Sequence, residues 1–432
     1  MDRKYFSDYI KILNKELVPA LGCTEPIAIA FAAAKAASVL GEKPGRLIAK
    51  CSGNIIKNVM GVVVPNSDNN KGIATAAILG AIAGDGNDGL NVLKSVEPED
   101  IEECKRLAAT DYCSCILAEG VENLFIDIVA SLEDENGNEV HSAEVIVSDT
   151  HTNIIKILKD GEVVYDKKND SKADEHIAYP MSIANIVDFA SNIPIEDIEG
   201  IFKRQVEYNT AISKQGLTNK YGANLGSTLI KSGNASFGSR VKGKVAAGSD
   251  ARMGGCNMPV IINSGSGNQG LAVSLPIIEF AKENFLPEEK LYRGLAVSNL
   301  VSIYIKKKIG SLSAFCGASS AAAASGAGIA FLKGWEVPQI EKVIESILVN
   351  VGGIICDGAK STCAAKLATA LDAMLTSLDM LEAGFEFGLD EGLLGESAEE
   401  TISNVCYVGK NGMSETDVNV LKIMTGEIDT ML

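Results

Sequence analysis

The chain is poor in histidine, in aromatic residues and in positive charge. Its 432 residues include only three histidines and one tryptophan, and Phe, Trp and Tyr together make up 5%. Three histidines are too few for a histidine-rich metal centre. A transition-metal site would therefore depend mainly on thiolates. Lys and Arg total 39 against 56 Asp and Glu, which gives a net charge of −17. This charge disfavours nucleic acid and acidic membranes as partners, because both are polyanionic.

The chain also has no signal-peptide pattern and no sustained hydrophobic span. Residues 1–15 are charged and mixed, without an apolar core. Two long uncharged stretches, 253–278 and 309–332, are rich in Gly, Ser and Ala, whereas lipid-facing helices are dominated by larger apolar residues. We therefore expect a cytoplasmic protein without membrane contact, in which the ten cysteines are reduced.

The hydropathy pattern predicts an α+β protein with a mainly helical body and an antiparallel β unit in the first half. Alternation with a period of two from about residue 112 to 165, interrupted by turns at Asn136-Gly137 and Asp160-Gly161, predicts four or five strands. Charged and turn-forming residues at 167–175 predict a linker or exposed loop. We expect an N-terminal α+β region over 1–166 and a mainly helical region over 176–432.

Five cysteines lie in settings that could carry chemistry. Cys23 immediately precedes a predicted helix, and a helix N-terminus lowers the pKa of a thiol. Cys316, Cys356 and Cys363 lie in Gly-rich stretches, and three thiols with few histidines suit an iron–sulfur cluster better than zinc. Buried packing is the alternative, because their spacing matches no standard ferredoxin or zinc-finger motif. Cys256 is a candidate fourth ligand that ranks below Cys23.

Polar segments without a packing rationale supply candidate substrate contacts. Residues 263–270, Asn-Ser-Gly-Ser-Gly-Asn-Gln-Gly, could cradle a carboxylate with backbone N–H groups. His151 lies between two threonines at a strand start, as an acid–base group or as an incidental turn residue. The candidates for substrate binding are Asn54, Lys57, Asn58, Arg252, Ser266, Asn268 and Gln269. For each of them, a surface or capping role is the simpler alternative.

Taken together, these segments resemble the L-cysteine desulfidase family, which is related to the iron–sulfur-dependent L-serine dehydratases. No single motif is specific, but the combination is, and it covers nearly the whole chain. The motifs are Leu-Gly-Cys-Thr-Glu-Pro at 21–26, Ser-Gly-Asn-Ile-Ile-Lys-Asn-Val at 52–59, Thr-His-Thr at 150–152, Gly-Ser-Asp-Ala-Arg-Met at 248–253, the segment 263–270, Phe-Cys-Gly at 315–317 and the segment with Cys356 and Cys363.

The resemblance implies a [4Fe–4S] cluster held by Cys316, Cys356 and Cys363 in the helical region, with Cys23 as a catalytic thiolate or labile fourth ligand. It implies β-elimination of L-cysteine to pyruvate, ammonia and sulfide without pyridoxal phosphate. His151 is the other candidate base. Many bacterial serine dehydratases carry a cysteine in a tail that reaches the cluster, whereas the last cysteine here is Cys406, which favours the desulfidase branch.

Two other functions stay open at this point. An iron–sulfur L-serine dehydratase would use the same cluster. A non-enzymatic redox- or metal-responsive binding protein would use the three cysteines to sense oxidation or to hold zinc, although no DNA-binding or signalling segment supports it. The expected partner is the small amino-acid substrate, and a homodimer is one of the oligomeric states that the sequence allows.

Overall fold

The computed structural model describes residues 4–169, 181–310, 312–389 and 391–427. The α-helices within these ranges are α1 (Lys4–Glu16), α2 (Thr24–Leu40), α3 (Gly53–Val59), α4 (Gly72–Ala83), α5 (Pro98–Ala108), α6 (Ile183–Asn192), α7 (Glu199–Thr218), α8 (Leu225–Ser232), α9 (Phe237–Met253), α10 (Gly267–Glu283), α11 (Glu288–Ile309), α12 (Gly317–Leu332), α13 (Val337–Val351), α14 (Cys363–Glu382), α15 (Ala398–Tyr407) and α16 (Ser414–Thr425). The strands are β1 (Pro19–Leu21), β2 (Arg46–Ser52), β3 (Cys113–Ala118), β4 (Phe125–Glu133), β5 (Glu139–Ser148), β6 (Ile154–Lys159), β7 (Glu162–Asp166) and β8 (Pro259–Ile261).

The prediction of an α+β fold is confirmed, and the five strands predicted over 112–165 are β3 to β7. They join β2 in one six-stranded sheet of order β3-β2-β4-β5-β6-β7. The pairs from β4 to β7 are antiparallel as predicted. The prediction was wrong at β3, which pairs in parallel with β2 and is separated by it from β4. A parallel pair needs a crossover connection, and here α3, α4 and α5 provide it.

Two hydrophobic cores organise the chain. The smaller core lies between the sheet and helices α2 and α4, and Ile27 and Ile126 belong to it. The larger core is formed by the helices of the second half. Tyr9 and Leu13 of α1 belong to this larger core, and β1 pairs with β8. The chain therefore starts in the helical core and enters the sheet core through α2, which places the start of α2 at the junction of the two.

The two uncharged stretches form the buried helices α10 and α12 and the loops that precede them. Their small residues allow neighbouring helices to approach closely. A Cβ atom at Gly328 of α12 would lie only 2.6 Å from Cδ1 of Ile277 in α10. Among the described residues, none of the helices combines the length and the hydrophobicity that a membrane span needs. Of the predicted linker, 167–169 form a short 3₁₀ helix, and 170–175 lie outside the described residues.

Candidate active site at the junction of the two cores

A cavity at the junction of the two cores is lined by residues from both halves of the chain. It brings together most of the site residues that the sequence predicts, namely Cys23, Asn58, His151, Arg252, Ser266, Asn268, Gln269, Cys316, Cys356 and Cys363. Cys23 and Cys316 are 293 residues apart in sequence (316 − 23). The fold therefore assembles this wall from distant segments, as ligand clefts between structural units commonly do.

Several helices begin at the cavity wall. Cys23 is the N-cap of α2, Cys316 is the N-cap of α12, and Cys363 is the first residue of α14. Ser266 is the N-cap of α10, and its hydroxyl accepts a hydrogen bond from the backbone N–H of Gln269. The N-terminus of a helix carries a partial positive charge and free N–H groups. The cavity wall is therefore suited to thiolates and to small anions.

The backbone holds Cys316 and Cys356 side by side. The N–H of Cys316 donates to the carbonyl of Ile354 at 3.0 Å, and the N–H of Cys356 donates to the carbonyl of Ala314 at 2.7 Å. These two bonds form a short antiparallel bridge between the loops that precede α12 and α14. A hydrogen bond from the Cys316 thiol lowers the pKa of Cys356 below its ordinary value and raises the pKa of Cys316.

Cys316, Cys356 and Cys363, which we call the cluster thiols, line one cavity and fit an iron–sulfur cluster, whose protein ligands are thiolates. Within the described ranges, no three His, Cys, Asp or Glu side chains are grouped closely enough to hold one ion. The cluster thiols instead surround a shared cavity, and the cysteine ligands of an iron–sulfur cluster bind different irons. Gly317 packs directly against the side chain of Gln269, since a Cβ atom at Gly317 would lie only 2.5 Å from the side-chain amide carbon of Gln269.

Glu25 is the centre of a polar network at the same cavity, although the sequence pattern does not single it out. Its carboxylate accepts hydrogen bonds from Cys23 Sγ at 2.9 Å, Thr24 Oγ1 at 3.1 Å and Asn58 Nδ2 at 3.0 Å. We call these four residues the Glu25 network. His151 Nε2 lies 4.0 Å from Glu25 Oε1. An acidic residue in the first turn of an otherwise apolar, alanine-rich helix was the available sequence signal.

Glu25 is an anion at neutral pH despite its burial. Burial opposes ionisation, but the imidazole of His151, whose Nε2 lies 4.0 Å away, together with the Cys23 hydrogen bond, outweighs it and holds the pKa of Glu25 at about 2. Glu25 therefore gives the cavity wall a fixed negative charge. A carboxylate in this position can bind an ammonium group or orient a neighbouring acid–base group.

The pKa of Cys23 moves in the direction opposite to the one expected for a helix start. Burial of the thiol, followed by the negative charge of Glu25, raises the pKa of Cys23 well above its ordinary value. Arg252 acts in the other direction but does not compensate. Cys23 is therefore a protonated thiol that donates to Glu25. The helix N-terminus alone would lower this pKa, but desolvation of the buried thiol exceeds that effect.

Arg252 and Gln269 present buried polar atoms to the cavity. Arg252 is 3% exposed; its Nη1 donates to Asn268 Oδ1 at 2.6 Å and its Nη2 donates to the carbonyl of Gly22. Among the described residues, Arg252 Nε and Gln269 Oε1 are buried without a hydrogen-bond partner. Such atoms cost free energy when they are unpaired. A polar ligand in the cavity would therefore be stabilised by pairing with them.

Comparison with known proteins gives the family. Residues 87–422 match the family model described as serine dehydratase alpha chain. The chain belongs to this family. The predicted relation to the serine dehydratases is therefore confirmed, and it supports an iron–sulfur-dependent lyase rather than a cysteine desulfidase in particular.

Relatives of this serine dehydratase-like chain share its full length. A UPF0597 protein of Lachnoclostridium phytofermentans is 50% identical over 97% of this chain and 99% of its own length. A UPF0597 protein of Finegoldia magna is 45% identical over 96% of this chain and 99% of its own length. One from Desulfitobacterium hafniense is 42% identical over 98% of both chains. These names specify no substrate.

Two predicted substrate-binding residues of this serine dehydratase-like chain lie outside the cavity wall. Asn54 Nδ2 donates to Asp417 Oδ2 at 2.6 Å, and the Lys57 ammonium forms an ion pair with the same carboxylate. Lys57 is 1% exposed. Both residues therefore hold α16 against α3, and the carboxylate that Lys57 binds belongs to the protein itself. Cys256 is buried among apolar residues of the larger core.

Lys306 lines the cavity and was not predicted from the sequence. It lies in the last turn of α11 within a run of three lysines, which resembles an ordinary charged helix end. Yet it is 8% exposed, and burial lowers its pKa. Its position seven residues after Asn299 and four after Ser302, both fully buried, is the helical spacing that could have indicated a buried face.

Proposed function

We propose that this protein catalyses the [4Fe–4S]-dependent, pyridoxal-phosphate-independent β-elimination of L-cysteine to pyruvate, ammonia and hydrogen sulfide. The observation that carries the proposal is one cavity that is lined by the cluster thiols, the Glu25 network and His151. A cluster held by three thiolates would supply a soft Lewis acid for the departing sulfur. Family membership supports an iron–sulfur lyase of this kind.

The chain's own residues would move the α-proton. Cys23 and His151 both line the cavity and both lie beside Glu25. His151 Nε2 is buried and has no hydrogen-bond partner among the described residues. The ammonium group of a bound amino acid next to Glu25 would offset the negative charge that raises the pKa of Cys23. Substrate binding would therefore favour the thiolate of Cys23, the form that can accept the α-proton, and His151 would be placed to take up the proton that the thiol loses first.

The reaction balances with water as the only co-reactant. Removal of the α-proton and breakage of the Cβ–S bond leave both bonding electrons on sulfur, which departs as hydrosulfide. The other product is aminoacrylate, which tautomerises to an imine and takes up water to give pyruvate and ammonia. Arg252 and Gln269 would orient the substrate through their unpaired buried atoms. Burial of the cavity walls limits competing solvent contacts.

L-Serine is the second candidate substrate, because the matching family model is that of a serine dehydratase alpha chain. The same residues would act, and the leaving group would be hydroxide in place of hydrosulfide. A soft thiolate-bound iron favours sulfur over oxygen. We therefore place L-cysteine first.

Anaerobic turnover by the reconstituted full-length protein tests the proposal. With L-cysteine we expect equal amounts of pyruvate and sulfide and a higher kcat/KM than with L-serine, and we expect no turnover by iron-free protein. A higher kcat/KM with L-serine would assign the second candidate. Absence of pyruvate from both amino acids, in a sample of full iron content, would refute the enzyme proposal. One bound zinc and no iron would instead favour the non-enzymatic metal-binding protein.

A further inference from the structure

A second cavity adjoins the active-site cavity. The two share four wall residues, His151, Ser264, Gly265 and Lys306. The partition is tightly packed, since a Cβ atom at Gly265 would lie 2.8 Å from His151 Cε1. Lys306 therefore lies at the boundary of both spaces, and an occupant of either cavity can reach it.

The side chain of Lys306 is buried, but its ammonium is not paired with any residue in the described part of the chain. Among the described residues it makes no hydrogen bond and no ion pair, although the side chain is 8% exposed. The charged and ionisable groups that act on it electrostatically include Cys356, Cys316 and Glu25, but none of them is in hydrogen-bond contact. An ammonium at the end of a largely buried side chain is unfavourable unless an anion or solvent compensates its charge. The ammonium of Lys306 would therefore be stabilised by an anion that is not part of the chain.

The second cavity is locally cationic in an acidic protein. Its wall contains Lys15, Lys306 and Lys307 against Glu16 and Asp149. The whole chain carries a net charge of −17. A concave site with excess positive charge raises the local concentration of small anions. The surroundings of Lys306 are therefore suited to a carboxylate.

Arg252, the other buried cation at the active-site cavity, is less available. Two arms of its guanidinium already donate to Asn268 and to the carbonyl of Gly22. Lys306 retains all three of its donors. A carboxylate bound by Lys306 would thus satisfy donors that the fold leaves free.

We propose that Lys306 binds the carboxylate group of the α-amino-acid substrate, at the boundary of the two cavities. The identity of this carboxylate as part of an amino acid rests on the proposed function, whereas the binding of a small carboxylate by Lys306 does not. The ammonium of Lys306 donates to the carboxylate oxygens, and the α-carbon is thereby held next to the Glu25 network.

Calorimetry with two non-reactive probes tests this proposal. L-Alanine has no β-leaving group, and L-alaninamide is the same molecule with the carboxylate replaced by a neutral amide. Reconstituted wild type should bind L-alanine about 10- to 100-fold more tightly than L-alaninamide, the range for a hydrogen-bonded charged pair. In Lys306→Met the ratio should fall to near one, and Lys306→Arg should recover part of it. Lys290→Met, which changes an exposed lysine of the same helix that lines neither cavity, should keep the wild-type ratio.

Iron content and the iron-free wild type separate this role from an effect on the cluster. The ratio of the affinities for L-alanine and L-alaninamide is also measured for the iron-free wild type, which shows how much of the preference for L-alanine depends on iron. A variant that loses iron is compared with this iron-free sample. An unchanged ratio in Lys306→Met, or equal affinity of the wild type for both probes, would overturn the proposal. If neither L-cysteine nor L-serine is turned over but the preference still depends on Lys306, the proposed function fails and this inference stands.

Discussion

Glu25 provides the negative charge around which one wall of the cavity is arranged. In the sequence it resembles an ordinary first-turn acid that stabilises the dipole of α2. Its role depends on burial, and α2 is buried on nearly all sides because it packs between the sheet and α4. Cys23 shows the same limit: its position at a helix start could be predicted, but the effect of desolvation and of Glu25 on its pKa could not.

Glu25→Gln should change how stability depends on pH. The pKa of Glu25 is about 2 in the folded protein, against an ordinary value of 4.5. A depressed folded-state pKa contributes stability above the unfolded pKa, and this contribution is lost as the pH falls towards the folded value. We expect the stability advantage of iron-free wild type over Glu25→Gln to shrink between about pH 5 and about pH 2. Denaturant unfolding measures it, with exposed Glu42→Gln as the control; an advantage independent of pH would contradict the assignment.

Cys23→Ala should keep most of the iron and lose activity. The cluster thiols are untouched by this change, whereas removal of a general base typically lowers turnover by about 10²- to 10⁴-fold. Iron content and anaerobic pyruvate release are measured on the same sample. Near-normal turnover would assign the proton transfer to another group, with His151 next. Complete loss of iron would make Cys23 a structural ligand.

At the scale of helices and strands, the sequence predicted those features that depend on contacts between neighbouring segments of the chain. The turns at Asn136-Gly137 and Asp160-Gly161 correctly predicted the hairpins β4–β5 and β6–β7. Hairpin logic failed at β3, because its partner β2 lies on the far side of three helices. The pairing of Asn54 and Lys57 with Asp417 could not be predicted for the same reason, since Asp417 is more than 350 residues away.

Asp417→Ala should destabilise the protein through Lys57. None of the described residues of α16 is fully buried, so the ion pair to Lys57 is a main attachment of this helix. Removal of one partner of a buried pair leaves an uncompensated charge and costs about 3–5 kcal/mol. The exposed Asp68–Lys105 pair is the matched control, and Asp68→Ala should change stability by less than about 1 kcal/mol. Equal shifts in the urea midpoint for the two variants would contradict the role of Asp417.

At the scale of the whole molecule, the cavity exists because the two cores meet at the start of α2. The strand pair β1–β8 fixes Cys23 against the helical half, and the β5–β6 loop brings His151 to the same place. Composition and periodicity predicted the α+β fold but could not predict this meeting point. That the cluster thiols and Cys23 lie at one cavity was predicted only from the family resemblance, which depends on motifs spread over the whole chain. The spacing of cysteines in the sequence cannot predict contacts between residues so far apart.

The most direct test of the central claim is the iron and acid-labile sulfide content of single cysteine variants reconstituted without air. For the wild type we expect about four irons and four sulfides per chain, as in a cubane cluster. Cys316→Ser, Cys356→Ser and Cys363→Ser should each lose most of both. Cys104→Ser, at a buried cysteine of the sheet core, should keep them. Full iron and sulfide in any of the first three variants would contradict the claim that the cluster thiols hold the cofactor.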